Sequence, residues 1–237
     1  PVHKIGRLVM GNGVGAGLGE AAAKQVALGA GLRPQTLAKL VNVVCASAME
    51  AVVDVAGAIE KGLIEAGIAG GMESVTHAPY LLGPLDDQQR PVASGLAGYR
   101  MVRVPDDLPQ QIQVRRVLLK EATRYDGLFW PPEGRFMAQY AAAAMKRSGI
   151  DLQQVNRWAS QSHQRARRAW EEGRFAAEVC GSEADEILDA REAQALLERE
   201  GDQWVSAYNS AGPADGAAAV MLASPALGMQ EGVEPLG

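Results

Sequence analysis

The chain is poor in aromatic residues, which make up only 5% of its 237 positions. Ala, Val, Leu and Gly must therefore fill most of any core. Cysteine is scarcer still, with two residues, Cys45 and Cys180. Residues 1–15, PVHKIGRLVMGNGVG, have neither the apolar centre nor the cleavage site of a secretory signal. Two distant cysteines without such a signal exclude a disulfide framework and make the cytoplasm the default compartment. Long apolar runs are also missing, because Gly, Glu or Lys interrupts each within about ten residues, and this excludes a membrane-spanning helix. Basic charge is not in excess: Lys and Arg number 23 against 28 Asp and Glu, for a net charge of -5. That excludes the electrostatic footprint of a nucleic-acid-binding protein. The opening Pro is what loss of an initiator Met would leave, and a chain cut from a longer one would begin the same way.

What remains is ordinary for a soluble globular protein: 47% hydrophobic and 22% charged residues. The length suits one large domain, or one domain with a sizeable insertion. Residues 5–14, IGRLVMGNGV, read as a strand entering a Gly-rich turn, and 19–31, GEAAAKQVALGAG, as a helix punctuated by Gly at both ends. Residues 37–44, LAKLVNVV, have the β-branched character of a buried strand. Residues 46–61 are predicted helical. Glu50, Asp54 and Lys61 fall on one narrow stripe and the rest of the circumference is apolar, so the helix should be buried on most sides. A further strand, IEAGIAGGMES, follows at 64–74. Strand, helix, strand in this order is a βαβ unit of an α/β protein with parallel strands.

From residue 81 the character changes. LLGPLDDQQRPVASG and VRVPDDLPQQ are rich in Pro, Asp and Gln and suggest a loop excursion with one helix around 111–124. Residues 135–147 and 151–171 are two clear helices, the second with Asp151 as N-cap and Gln154 at the capping-box position. SEADEILDAREAQALLERE is a solvated charged helix or excursion. WVSAYNSAGPADGAAAVMLAS, 204–224, reads as a strand, a tight polar loop and a second apolar run. No tandem repeat is visible.

Cys45 stands where a strand-like run turns into a helix-like one. A helix N-terminus presents unpaired N–H groups and the positive end of the macrodipole. A thiol in such a place is pushed toward thiolate, the form that attacks carbonyls, and the same N–H groups suit a developing oxyanion. Nucleophile plus oxyanion donors is the minimum for acyl transfer. The small neighbours Ala46, Ser47 and Ala48 leave room for a substrate. The position equally suits a small buried core residue.

VNVVCASAMEAV, AGGMESVTHAPYLL, SHQRARRAWEEGRFAAEV and VSAYNSAGPADGAAAVMLAS, in this order, resemble the thiolases. The resemblance implies a layered βαβαβ fold with a mixed, mostly parallel sheet and helices on both faces. Residues 1–80 and 201–237 would form the core domain, and 81–200 an inserted, mostly helical loop domain facing coenzyme A. It implies acyl transfer through Cys45, either thiolytic cleavage or Claisen condensation of 3-ketoacyl-CoA. No tightly bound cofactor and no metal is implied; a coenzyme A thioester is the substrate. Met137, in GRFMAQYAA, would line the acyl pocket or simply pack its helix. Ala207, Ala211, Gly212 and Pro213 lie in the segment matching the run along the pantetheine arm. Arg165 and Arg168 are suited to the phosphates of coenzyme A, or to a solvated helix face. His77 could line a cavity; His163 is expected to face solvent or cap a loop; His3 is terminal. Asn209 and Asp215 are expected to hold Gly-rich turns, and Cys180 to be an incidental loop residue.

The sequence also departs from that family. Thiolases have two such halves, and the second carries a histidine that activates the nucleophile and a further cysteine. After Ser224 only PALGMQEGVEPLG follows, and the family's first strand is missing before residue 5. Ala48, Phe136, Ala138 and Ala211 replace a glycine, a histidine, a glycine and a serine, which makes the pocket tighter and more apolar. A nucleophile without its base is a poor catalyst, and a lone half exposes an apolar face. The expected partners are thus acyl-CoA and a homo- or hetero-oligomer, including a second thiolase-like subunit. The alternatives are a non-catalytic assembly or CoA-binding subunit, and the related ketoacyl synthase branch, which the AGGMES and DGAAA words fit less well.

Overall fold

A computed structural model describes residues 2–82, 99–103, 116–180 and 190–235. The chain divides into two compact units, residues 1–128 with 215–237, and residues 129–214.

The first unit is built on a four-stranded sheet in the order β2-β1-β3-β9, comprising β1 (Ile5–Gly11), β2 (Leu37–Val41), β3 (Ala66–Ser74) and β9 (Asp215–Ala223). β1 runs parallel to both β2 and β3, and β9 closes the edge antiparallel to β3. Two helices precede β3, α1 (Ala22–Gly29) and α2 (Ser47–Glu60), and α7 (Pro225–Glu231) follows β9. The expected βαβ unit forms with parallel strands, and β1, α1 and β2 make a second one; β2 and β3 flank β1 rather than pairing with each other.

Alternation along the strands makes the two faces. Leu8 and Met10 of β1 point into one core with Ala23 and Ala27 of α1 and Leu227 of α7. Val9 points into the other, with Ala69 of β3 and Ala51 and Val55 of α2. Val9 and Val55 are fully buried, and each such side chain contributes about 1.5–3 kcal/mol. Small residues bring α2 unusually close. A Cβ on Gly11 would lie 2.6 Å from the backbone of Ser47 and Ala48, and one on Gly71 would lie 3.0 Å from the Ala48 Cβ. Glycine at the end of β1 and within β3 lets the first turn of α2 rest on the sheet.

Two expectations need correction. The helix at 46–61 is not buried on most sides: Ser47, Ala51, Val55 and Ala58 form its buried face, whereas Met49 is 71% and Val53 59% exposed. Its apolar circumference outruns what one sheet can cover. β2 is likewise half exposed, as an edge strand, rather than a buried strand.

A three-stranded antiparallel sheet, β4-β6-β5, also belongs to the first unit: β4 (Tyr80–Leu82), β5 (Tyr99–Arg103) and β6 (Arg116–Glu121). The helix expected around 111–124 is therefore β6 followed by α3 (Ala122–Leu128) over the described part; residues 111–115 lie outside the described residues. Most of LLGPLDDQQRPVASG and VRVPDDLPQQ, and the start of SEADEILDAREAQALLERE, lie outside them too.

The second unit opens with a short hairpin, β7 (Phe129–Trp130) and β8 (Arg135–Phe136), and continues with α4 (Met137–Arg147), α5 (Leu152–Glu171) and α6 (Ala190–Glu200). α5 starts as the sequence predicts: the Gln154 N–H donates to Asp151 Oδ1 at 2.7 Å, and the Asp151 N–H donates to Gln154 Oε1 at 2.9 Å. Ala159, Ala193 and Tyr208 form its small core. The strand expected at the start of 204–224 is absent; 204–210 are turns and bends, and β9 begins at Asp215. The cause is local. Asn209 Oδ1 accepts the Ser206 N–H at 2.8 Å, which folds the chain back on itself.

Candidate active site

Cys45 lies just before α2, separated from its first residue by the N-cap Ala46. It is a free, exposed thiol. The preceding residue, Val44, has φ of +52°, a left-handed conformation that a β-branched residue adopts only under constraint. Three side-chain contacts supply the constraint. The Val44 N–H donates to Asn42 Oδ1 at 2.9 Å, and Ser47 Oγ donates to the Val44 carbonyl at 2.6 Å. Ser47 Oγ also accepts the Val43 N–H at 2.9 Å.

This loop is tied to its neighbour. Asn42 Nδ2 donates to the Gly13 carbonyl at 2.9 Å. The Glu73 carboxylate, at the end of β3, accepts the Gly13 and Val14 N–H groups at 2.8 and 3.1 Å and Asn12 Nδ2 at 3.1 Å. The loops after β1, β2 and β3 thus meet at the carboxyl ends of the parallel strands, the end where open α/β sheets bind ligands.

A cavity of about 300 Å³ opens beside them, lined by Asn12, Val14, Met72, Glu73, His77 and Asp215 among others; Cys45 is not part of its wall. His77 therefore does line a cavity. Ser74 Oγ lies 2.9 Å and Asp215 Oδ2 3.9 Å from its Nδ1. Serine and aspartate approach the same ring nitrogen, so the three groups do not make a proton relay, which requires opposite ones. Asp215 Oδ1 accepts the Thr76 N–H at 3.0 Å, and that bond holds its carboxyl below the usual range. Its role is to fasten the loop after β3, not its own turn.

The remaining sequence-derived site residues belong to the second unit. Met137 is the first residue of α4 and is 43% exposed. Arg165 and Arg168 are exposed on α5, with the Arg165 guanidinium 5.8 Å from the centre of the Trp158 ring. Ala207, Ala211, Gly212 and Pro213 are exposed in the segment before β9. The Ala207 N–H is already engaged, donating to Glu200 Oε2 at 2.9 Å. His163 draws α5 and this segment together: its Nε2 donates to the Tyr208 carbonyl at 2.8 Å, so it caps a loop as expected. Cys180 is an exposed loop thiol. Among the described residues no group of His, Cys, Asp and Glu is placed to hold a metal ion, and no helix is long and apolar enough to cross a membrane.

Asn42 and Glu73 were not anticipated. Their signal was a polar residue directly after an apolar strand, in VNVV and GGMES, facing the Gly-rich NGVGAG turn.

Residues 1–226 match the family described as thiolase, N-terminal domain. The chain is 32% identical over 245 residues to the mitochondrial acetyl-CoA acetyltransferase erg10A of Aspergillus fumigatus, across 96% of this chain and 51% of that protein. It is 31% identical over 248 residues to the acetyl-CoA acetyltransferase of Escherichia coli K12, across 98% of this chain and 57% of that one. Among solved structures, Acat5 thiolase from Ascaris suum in complex with coenzyme A superposes with a TM-score of 0.74 at 25% identity, covering 99% of this chain and 58% of that one. The chain belongs to the thiolase family. It spans about half the length of the curated relatives it matches.

Proposed function

We propose that this chain is the nucleophile-bearing half of a thiolase-type acyltransferase. The observation that carries the reading is the place of Cys45: an exposed thiol at the start of the central helix of a thiolase N-terminal domain. In cleavage, the Cys45 thiolate attacks the 3-keto carbon of a 3-ketoacyl-CoA. The bond between carbons 2 and 3 breaks, and its electron pair leaves on carbon 2, which takes up a proton to give acetyl-CoA. A second coenzyme A thiolate then attacks the Cys45 thioester, releasing a shortened acyl-CoA and restoring the sulfur. Condensation is the reverse. A thiol and a base suffice, so no tightly bound cofactor is needed.

The base is assigned to a complementary C-terminal half or second thiolase-like subunit. The exposed Met49 and Val53, one turn apart on α2, give such a partner an apolar face to cover. Residues 81–200 act as the loop domain on a core of 1–80 and 201–237. Met137, Arg165 and Arg168 of the loop domain and Ala207, Ala211, Gly212 and Pro213 of the core are the acyl-CoA contacts. Two free cysteines fit a reducing compartment such as the cytoplasm.

The experiment is competitive labelling with iodoacetamide or acetyl-CoA, read by peptide mass mapping. Cys45 is expected to react far faster than Cys180, and equal, slow labelling of both would overturn the reading. A second reading, a non-catalytic assembly or CoA-binding subunit, is favoured by the engaged Ala207 N–H. It predicts co-purification with a full-length thiolase-like chain whose activity survives Cys45→Ala.

A further inference from the structure

We infer that Asn42 is a positioning residue for Cys45, acting through the backbone of Val44. The inference rests on the proposed role of Cys45 and goes beyond it. Val44 is the last residue before the sulfur, and its left-handed φ of +52° turns the chain from the end of β2 into α2. For a β-branched residue this conformation is disfavoured, so unaided the chain would relax to negative φ and carry Cys45 away from the start of the helix.

Asn42 opposes that relaxation with both ends of its amide. Oδ1 accepts the Val44 N–H at 2.9 Å, and Nδ2 donates to the Gly13 carbonyl at 2.9 Å. Gly13 is itself fixed, because its N–H donates to Glu73 Oε2 at 2.8 Å. The strained residue is thus braced against β3 through two loops, and not only by its own turn. Ser47, 4% exposed, holds the other side of the same residue through the Val44 carbonyl. An asparagine suits position 42 because its short amide accepts with the oxygen and donates with the nitrogen. Aspartate would lose the bond to Gly13 and place a second anion near the sulfur.

The test is the iodoacetamide labelling rate of Cys45, with Cys180 as internal reference and circular dichroism as the check on folding. Asn42→Ala should slow Cys45 by about five- to thirtyfold, the share of left-handed Val44 that remains once the brace is gone, and leave Cys180 unchanged. Glycine adopts either sign of φ readily. The double variant Asn42→Ala, Val44→Gly should therefore recover the rate to within about threefold of the parent. A role of Asn42 in general stability would give no such rescue. If Asn42→Ala does not fold, Asn42→Leu is read the same way, because a side chain of similar size neither accepts from Val44 nor donates to Gly13. An unchanged Cys45 rate in a folded variant, or a loss that Val44→Gly fails to repair, overturns the inference. Equal labelling of Cys45 and Cys180 in the parent overturns the acyl-transfer reading itself, so the two failures are distinguishable.

Discussion

Gly11→Ala is the perturbation that asks most of the fold. The added methyl would sit 2.6 Å from the Ala48 nitrogen and the Ser47 carbonyl carbon, and 2.7 Å from the Ser47 Cβ. Two of these three atoms are backbone, so no side-chain rotation removes the clash. Contacts of this kind relax to about 3.5 Å or more, so the first turn of α2 must retreat by roughly 1 Å. Overpacking of a well-filled site costs about 1–3 kcal/mol. For a chain of this size each kcal/mol lowers the melting temperature by about 2–4 °C. The retreating turn is the one that follows Cys45, so the labelling rate of that thiol should change together with stability.

Gly57→Ala, in the interior of the same helix, is the control. Nothing lies within 4 Å of its added Cβ, and replacing a mid-helix glycine stabilises by about 0.5–1 kcal/mol. Thermal melts and denaturant titrations of the two variants should move in opposite directions. The close packing of α2 on β1 is refuted if Gly11→Ala melts within a degree of the parent and labels at the same rate.

The other predictions concern polar contacts. Asp54 on α2 accepts from Lys39 and from Arg7, the latter at 2.6 Å, and these partners, Lys39 first, hold its carboxyl below the ordinary 3.8. A depressed carboxyl stabilises the fold fully above its unfolded value, and that stability is lost as pH falls through the lower folded value. Asp54→Asn should therefore cost about 1–3 kcal/mol near neutral pH and flatten the acid limb of a stability-versus-pH curve. An unchanged acid limb would assign that limb to other groups. Asp151→Ala removes the α5 N-cap bond and should cost about 1 kcal/mol, seen as lower amide protection in the first turn of α5 by hydrogen exchange. Asp215→Ala frees the Thr76 N–H; amides at 75–77 should exchange faster while those of β1 do not.

Much of the fold was legible in the chain. Alternation in IGRLVMG and the helical spacing of SAMEAVVDVAGAIE are short-range signals, and both elements form close to their expected bounds. Asp151 and Gln154 announced the start of α5 because a capping box is complete within four residues. The failures have two causes, one local and one not. WVSAYN is apolar and aromatic enough for a strand, yet Asn209 folds it into a turn, and RVLLKE was read as helix where pairing with β4 and β5 makes it a strand. Strand pairing is non-local, so a six-residue window does not contain the neighbours that decide it.

The site divides the same way. Cys45 could be singled out from its junction and from the words around it, since a nucleophile at a helix start is a statement about adjacent residues. Asn42, Ser47, Gly13 and Glu73 could not be joined by reading along the chain: the bond from Gly13 to Glu73 spans 60 positions. The sequence by itself determined the strand–helix–strand core and singled out the thiol proposed to carry the chemistry. Only the tertiary structure decided what holds that residue in place, because the Asn42 amide that braces the left-handed valine is itself anchored by Gly13 and Glu73, from the ends of other strands.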